Sequence, residues 1–220
     1  MCGIAGYVGQ PIASGELVFS LWLLRQRGQE GYGLAALTED GRFEIHRSLQ
    51  LLSLPIDLSV EAAIAHNRLP THGEVAVHNC HPFVARCAGK EIAVAHNGIV
   101  ANHVSLRQRL EAEGHRFSSE VDSEVLVHLA EPYADDPDGL VRAVNARAYG
   151  TITAAFLLPA LRSVVLLRNQ HGPKVWCVEA ENGVAFASAR QALPVQGKVY
   201  SLDSLSAQLF SLRVAPSPED

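Results

Sequence analysis

A cysteine stands directly after the initiator methionine, in Met1-Cys2-Gly3-Ile4-Ala5-Gly6-Tyr7-Val8-Gly9. Once Met1 is removed, Cys2 carries a thiol and a free α-amine on one residue. An α-amine titrates at roughly 7.7–8.0, so a usable fraction is neutral near pH 7. It can take the proton of its own thiol, the logic of nucleophiles activated by an N-terminal amine. Gly3 and Gly6 would let backbone approach such a nucleophile closely and adopt unusual φ angles beside it. Alone, a cysteine in second place is no more than a buried thiol at a chain end. Its meaning depends on what the rest of the chain can bring to it.

Four further stretches carry suitable residues. They are Arg27-Gly28-Gln29-Glu30-Gly31-Tyr32-Gly33; Ala65-His66-Asn67-Arg68-Leu69-Pro70-Thr71-His72-Gly73, running on to Asn79-Cys80-His81-Pro82-Phe83; Ala95-His96-Asn97-Gly98-Ile99-Val100-Ala101-Asn102; and Ser119-Glu120-Val121-Asp122-Ser123-Glu124. An arginine such as Arg68 has a planar fork that suits a carboxylate, though it serves equally as a surface charge. Asn97-Gly98 can offer an amide and a backbone N–H to a developing oxyanion; alone it reads first as a type I′ turn. Asp122 can hold an ammonium group or cap a helix beginning at Ser123. His66, His72, His78, Cys80, His81, Cys87 and His96 crowd one region, but their spacing fits neither H-x-x-x-H nor C-x-x-C, so no metal is expected there.

The elements that must position these residues are readable in outline. Ile4 to Val8 is a buried strand that pins the terminus. Ser14 to Arg27 has the apolar spacing of a helix, with Ser14 as its cap. Strands are expected at 33–37, 42–46, 62–68 and 91–96, the last stopping at Asn97-Gly98. A loop is expected from Leu69 to Val84, and 48–60 shows no clean period. Helices are expected at 102–113, 123–133 and 138–149, and strands at 151–158, 163–168, 175–179 and 184–188. Strands at both ends with helices between them predict an α+β fold of packed antiparallel sheets. One domain over 1–213 is expected, with a disordered tail at 214–220.

Net charge is −5 and no basic patch is present, which argues against nucleic acid as a partner. No apolar run is long enough to cross a membrane, and no signal peptide is visible, so a cytoplasmic location is expected. The four cysteines form no C-x-x-C pair and read as free thiols.

With Cys2-Gly3-Ile4 in front, the order of these motifs resembles the class II glutamine amidotransferase domain, an N-terminal-nucleophile hydrolase. The resemblance runs from residue 2 to about residue 200 and includes Arg168-Asn169-Gln170-His171-Gly172-Pro173 and Phe186-Ala187-Ser188. The second and third stretches are closest to the glucosamine-6-phosphate synthase branch; Arg27 to Glu30 and Arg168 to Pro173 lean toward the amidophosphoribosyltransferase branch. The resemblance implies a four-layer αββα sandwich and glutamine hydrolysis through a thioester, with no cofactor. It implies Cys2 as nucleophile, the Asn97 side chain and the Gly98 N–H as oxyanion donors, and Arg68 on the substrate carboxylate. Asp122 would hold the substrate ammonium, Thr71 and His72 would add hydrogen bonds, and Arg27 would brace the N-terminus.

The sequence departs from the family pattern at Leu69-Pro70, where the synthase branch has an aromatic lid residue and then a small one. It departs again at Leu202-Asp203-Ser204-Leu205, in place of a Pro-Gly. No acceptor module follows, so ammonia is expected to pass to a separate synthase or synthetase subunit. The rival readings are a self-contained amidase acting on a γ-glutamyl amide or peptide, and a non-catalytic regulatory subunit. Specification of both ends of free glutamine by Arg68 and Asp122 argues against the first, and the complete residue set against the second.

Overall fold

The computed structural model describes residues 2–202 and 206–211. The expected tail at 214–220 and most of the 202–205 departure lie outside them. Among the described residues, twelve strands form two sheets in which every pairing is antiparallel.

The larger sheet is built around β1 (Gly3–Ala13), flanked by β4 (Ser59–Asn67) and β10 (Gly183–Ala187). Beyond β4 lie β2 (Tyr32–Thr38) and β3 (Phe43–Ser48); beyond β10 lie β9 (Trp176–Ala180) and β11 (Lys198–Ser201). The smaller sheet runs β12 (Ser206–Ser211), β8 (Ser163–Arg168), β7 (Gly150–Leu158), β6 (Lys90–Val100) and β5 (Phe83–Cys87).

Period-two alternation sorts the side chains into three cores. Ile4 and Val8 of β1 meet Ala155 and Leu157 of β7 and Val164 and Leu166 of β8 between the sheets. Ala5 and Tyr7, on the other face of β1, pack under α1 (Gly15–Leu23) with Leu17 and Leu21. Ala154 and Phe156 of β7 pack against Leu106, Val125 and Val144, which come from α2 (His103–Ala112), α3 (Glu124–Ala130) and α4 (Pro137–Arg147). Helix, sheet, sheet, helix is the four-layer α+β sandwich expected.

Several local expectations are corrected. The Ser14 hydroxyl does not cap α1; it donates to Pro55 O (3.0 Å) and accepts from Leu58 N–H (3.2 Å), tying the helix entry to the segment before β4. The helical path after Leu23 tightens into a 3₁₀ turn at Arg25–Arg27. The strand expected to stop at Asn97-Gly98 continues to Val100, so that pair is not a hairpin turn. Asn97 lies opposite Thr153 and Gly98 opposite Ile152 on β7. The chain also re-enters a sheet at β5, inside the loop expected up to Val84. α4 begins at Pro137, capped by the Asp136 carboxylate accepting from Gly139 N–H at 2.9 Å. Among the described residues, no helix is long and apolar enough to cross a membrane.

Candidate active site

Cys2 sits one residue before β1, at the end of the central strand where β4 also ends. Gly3 lies opposite Asn67, so closely that a Cβ on Gly3 would meet the Asn67 amide. This close approach is what the sequence suggested for Gly3; neither it nor Gly6 has a positive φ. The Asn67 side chain donates to Leu24 O and Gly28 O, both at 2.8 Å, and so fastens the turn after α1. From that turn Arg27 Nε donates to Cys2 O at 2.9 Å. Arg27 therefore holds the backbone of Cys2.

The Cys2 sulfur lies against the first peptide of the next loop. Leu69 N–H points at Sγ from 3.2 Å, and the thiol reaches Leu69 O at 3.3 Å. Burial pushes the Cys2 thiol up; the Leu69 N–H and the Arg68 charge pull the other way, and the Asp122 carboxylate adds to the rise. In this arrangement the sulfur keeps its proton at neutral pH unless a base takes it. The same interactions place Cys2 within electrostatic reach of both Arg68 and Asp122.

Arg68 is buried, and its guanidinium shapes the loop that follows. It donates to His72 O (2.6 Å), Gly73 O (3.1 Å) and Glu74 O (2.8 Å). Two of these bonds come from Nη2 and one from Nη1, out of the five N–H donors of a guanidinium. Asn79 and Glu120 tie this loop to the segment bearing Asp122. Asn79 Nδ2 donates to Glu74 O at 3.1 Å, and Glu120 N–H donates back to Asn79 Oδ1 at 3.0 Å. The Glu124 carboxylate then gathers the N–H and hydroxyl groups of Ser118 and Ser119, at 2.7–2.8 Å.

Asp122 is buried. One oxygen accepts from Val100 N–H at 2.7 Å rather than capping α3, and the other faces His72 Nδ1 at 3.7 Å. His72 also meets the Thr71 hydroxyl at 3.3 Å. Thr71 itself is exposed. Asn97 is buried in β6; its Nδ2 donates to Ser188 Oγ at 3.3 Å, and its side chain also faces the His66 ring. Gly98 has φ +135°, and a Cβ there would run into the Thr151 carbonyl.

Two participants were not foreseen. Leu69 was read as a lid position, yet its backbone is what touches the thiol. Ser188, noted only as part of a strand, accepts from Ile4 N–H at 2.6 Å and donates to Ile4 O at 3.0 Å while also meeting Asn97. It ties the start of β1 to the asparagine of the other sheet. No sequence signal marks it, because the link crosses 184 positions to Ile4.

The histidines of the crowded region take separate places. The His66 and His81 rings meet tilted, with centroids 4.0 Å apart, while His96 holds Ser123 Oγ at 2.7 Å. Burial lowers all three, His66 to about 3, so they are neutral supports beneath Asn97.

Comparison with known proteins decides the family of the chain. Residues 66–195 match the model of the glutamine amidotransferase domain family. The chain belongs to that family. The glutamine–fructose-6-phosphate aminotransferase (isomerizing) of Mycolicibacterium paratuberculosis is 37% identical over 171 residues, covering 71% of this chain and 27% of the relative. Among solved structures, the glutamine phosphoribosylpyrophosphate amidotransferase of B. subtilis superposes with TM-score 0.72 at 23% identity, over 87% of this chain and 42% of that one. A chain described as a predicted glutamine amidotransferase of Pseudomonas aeruginosa gives TM-score 0.58 at 15% identity, over 95% of this chain and 92% of that one. Those two structures establish the fold, which is the N-terminal-nucleophile hydrolase sandwich. The amidotransferase domain spans 22–34% of the curated relatives it matches.

Proposed function

We propose that this domain hydrolyses glutamine to glutamate and ammonia through a thioester on Cys2, and that the ammonia passes to an acceptor synthase or synthetase on a separate subunit. What supports the hydrolysis is that Cys2 lies within electrostatic reach of Arg68 and Asp122, while Ser188 joins Ile4 at the start of β1 to Asn97 of β6. In this reading the α-amine of Cys2 takes the thiol proton and the sulfur attacks the substrate amide carbon. Asn97 Nδ2 and Gly98 N–H receive the oxyanion. Ammonia leaves with a proton from the α-amine, and water then attacks the thioester to release glutamate. Arg68 holds the substrate carboxylate through its charge and a remaining N–H, and Asp122 holds the ammonium, with His72 and Thr71 beside it.

The separate acceptor is supported by the surface next to the nucleophile. Leu69, Val75 and Val77 are 41%, 51% and 46% exposed on one loop, more apolar surface than a loop facing only water requires. The test is a glutaminase assay on purified protein, alone and then with the products of neighbouring genes, with intact mass measured on the same sample. Loss of Met1, weak turnover alone and stimulation by a partner are expected. Full activity with Met1 retained would remove the α-amine from the mechanism. High turnover unaffected by any partner would favour a self-contained amidase.

Arg68→Ala separates binding from chemistry. The carboxylate contact is alike in the ground and transition states, so KM for glutamine should rise with a smaller change in kcat. The variant also abandons three loop carbonyls, each costing about 1–3 kcal/mol if left unpaired and buried, so a lower thermal midpoint should accompany it. Arg68→Lys should not restore KM, because an ammonium cannot present a planar fork. An unchanged KM in Arg68→Ala would sink the carboxylate assignment.

A further inference from the structure

Where α2 gives way to α3, three side chains outside the site at Cys2 converge. His115 follows the last turn of α2, His128 lies in α3, and Glu131 opens the 3₁₀ turn that continues it. His128 and Glu131 are three residues apart and so share a helical face. His115 Nδ1 stands 2.9 Å from one Glu131 oxygen, and His128 Nδ1 stands 2.9 Å from the other. One ligand atom from each residue lies within 4.8 Å of the other two. The side chains are only 15%, 8% and 14% exposed.

We propose that His115, His128 and Glu131 bind a divalent first-row transition ion, zinc before others. Zinc takes imidazole nitrogen and carboxylate oxygen at about 2.0–2.2 Å, which places neighbouring ligand atoms of a tetrahedral site about 3.3 Å apart. The two contacts of 2.9 Å therefore need to open by only a few tenths of an ångström. Two histidines, one carboxylate and an open fourth position are a recurrent zinc donor set. The fourth position has room here, because an open cavity of about 410 Å³ is lined by all three residues together with Glu113, Arg86 and Arg116.

The rings are held for the task. His128 lies edge-on to Phe117 at 4.5 Å and to His115 at 5.2 Å. Its Nε2 is buried with no hydrogen-bond partner among the described residues, and its Nδ1 contacts Glu131. A bound ion would tie the exit of α2 to the C-terminal end of α3, where the helix dipole favours positive charge. None of the three residues belongs to the histidine and cysteine set whose spacing speaks against a metal. The pattern here is a histidine, twelve residues, then His-x-x-Glu.

The test is zinc binding by the metal-stripped full chain. One equivalent of Zn²⁺ should remain after dialysis against metal-free buffer, and its addition should raise the thermal midpoint. His115→Ala, His128→Ala and Glu131→Gln should each weaken binding by more than the about 10–100-fold lost when an outer-shell partner is removed. X-ray absorption of the zinc-loaded unmutated chain needs no variant to fold, and should show a first shell of nitrogen and oxygen at about 2.0 Å. A sulfur shell would place the ion on a cysteine and overturn the proposal. So would retention of the equivalent by all three variants, or failure of the unmutated chain to hold zinc.

Discussion

Cys2→Ala should abolish glutamine hydrolysis while leaving the fold intact. Removing a covalent nucleophile costs about 10⁶ in kcat where it has been measured, so turnover should drop to the limit of detection. The side chain's polar contacts are with a single residue, Leu69, which makes the substitution mild for stability. A glutamine-like diazo ketone should add once to the unmodified protein and not at all to the variant. Cys80 and Cys177 are buried, and burial pushes the Cys177 thiol up to about 12, so neither should compete for the reagent. The elevated Cys2 thiol sharpens the expectation further. A sulfur that holds its proton at neutral pH is a poor nucleophile until the adjacent α-amine accepts that proton. Residual hydrolysis near the unmutated rate in Cys2→Ala would place the chemistry on another group.

How far this was legible in the sequence depends on whether a residue acts through its type or through a partner that only folding supplies. Cys2, Arg68, Asn97 and Asp122 are singled out by type and by the order of the motifs that resemble the family. Ser188 is not, since a serine ending a strand has no distinguishing feature until Ile4 and Asn97 arrive beside it. Leu69 misleads in the same way. Its side chain drew attention, whereas its peptide group does the work at the thiol.

The elements divide similarly. Strands buried on both faces, such as β1 and β7, announce themselves by continuous apolar runs. The strands that were passed over lie at sheet edges: β5 and β12 end the smaller sheet and β11 ends the larger one. Edge strands are short and partly polar, and β5 is further hidden by the Pro82 that precedes it. The Asn97-Gly98 pair fails as a turn for a steric reason. Glycine is needed there because the Thr151 carbonyl occupies the space of a Cβ, which is the other common reason for glycine inside a strand.

Asn97→Ala should lower kcat by about 10²–10³, the scale of losing one oxyanion donor, with little change in KM. Its side-chain amide carries two hydrogens. One points to Ser188 Oγ at 3.3 Å, leaving the other for the substrate oxygen. The contact matters only once negative charge develops on that oxygen, so the loss should fall on turnover rather than on binding. Ser188→Ala is the informative companion. It removes the brace on Asn97 and the hydroxyl that accepts from Ile4 N–H, but it leaves the amide donor in place. Its kcat should therefore lie between that of Asn97→Ala and the unmutated protein, with a lower thermal midpoint because the Ile4 N–H is buried. The double variant should be little slower than Asn97→Ala alone, since a brace has nothing to position once the asparagine is gone. Additive losses would show that Ser188 acts independently. An Asn97→Ala enzyme with undiminished kcat would remove the side chain from the oxyanion site, leaving Gly98 N–H as its remaining donor.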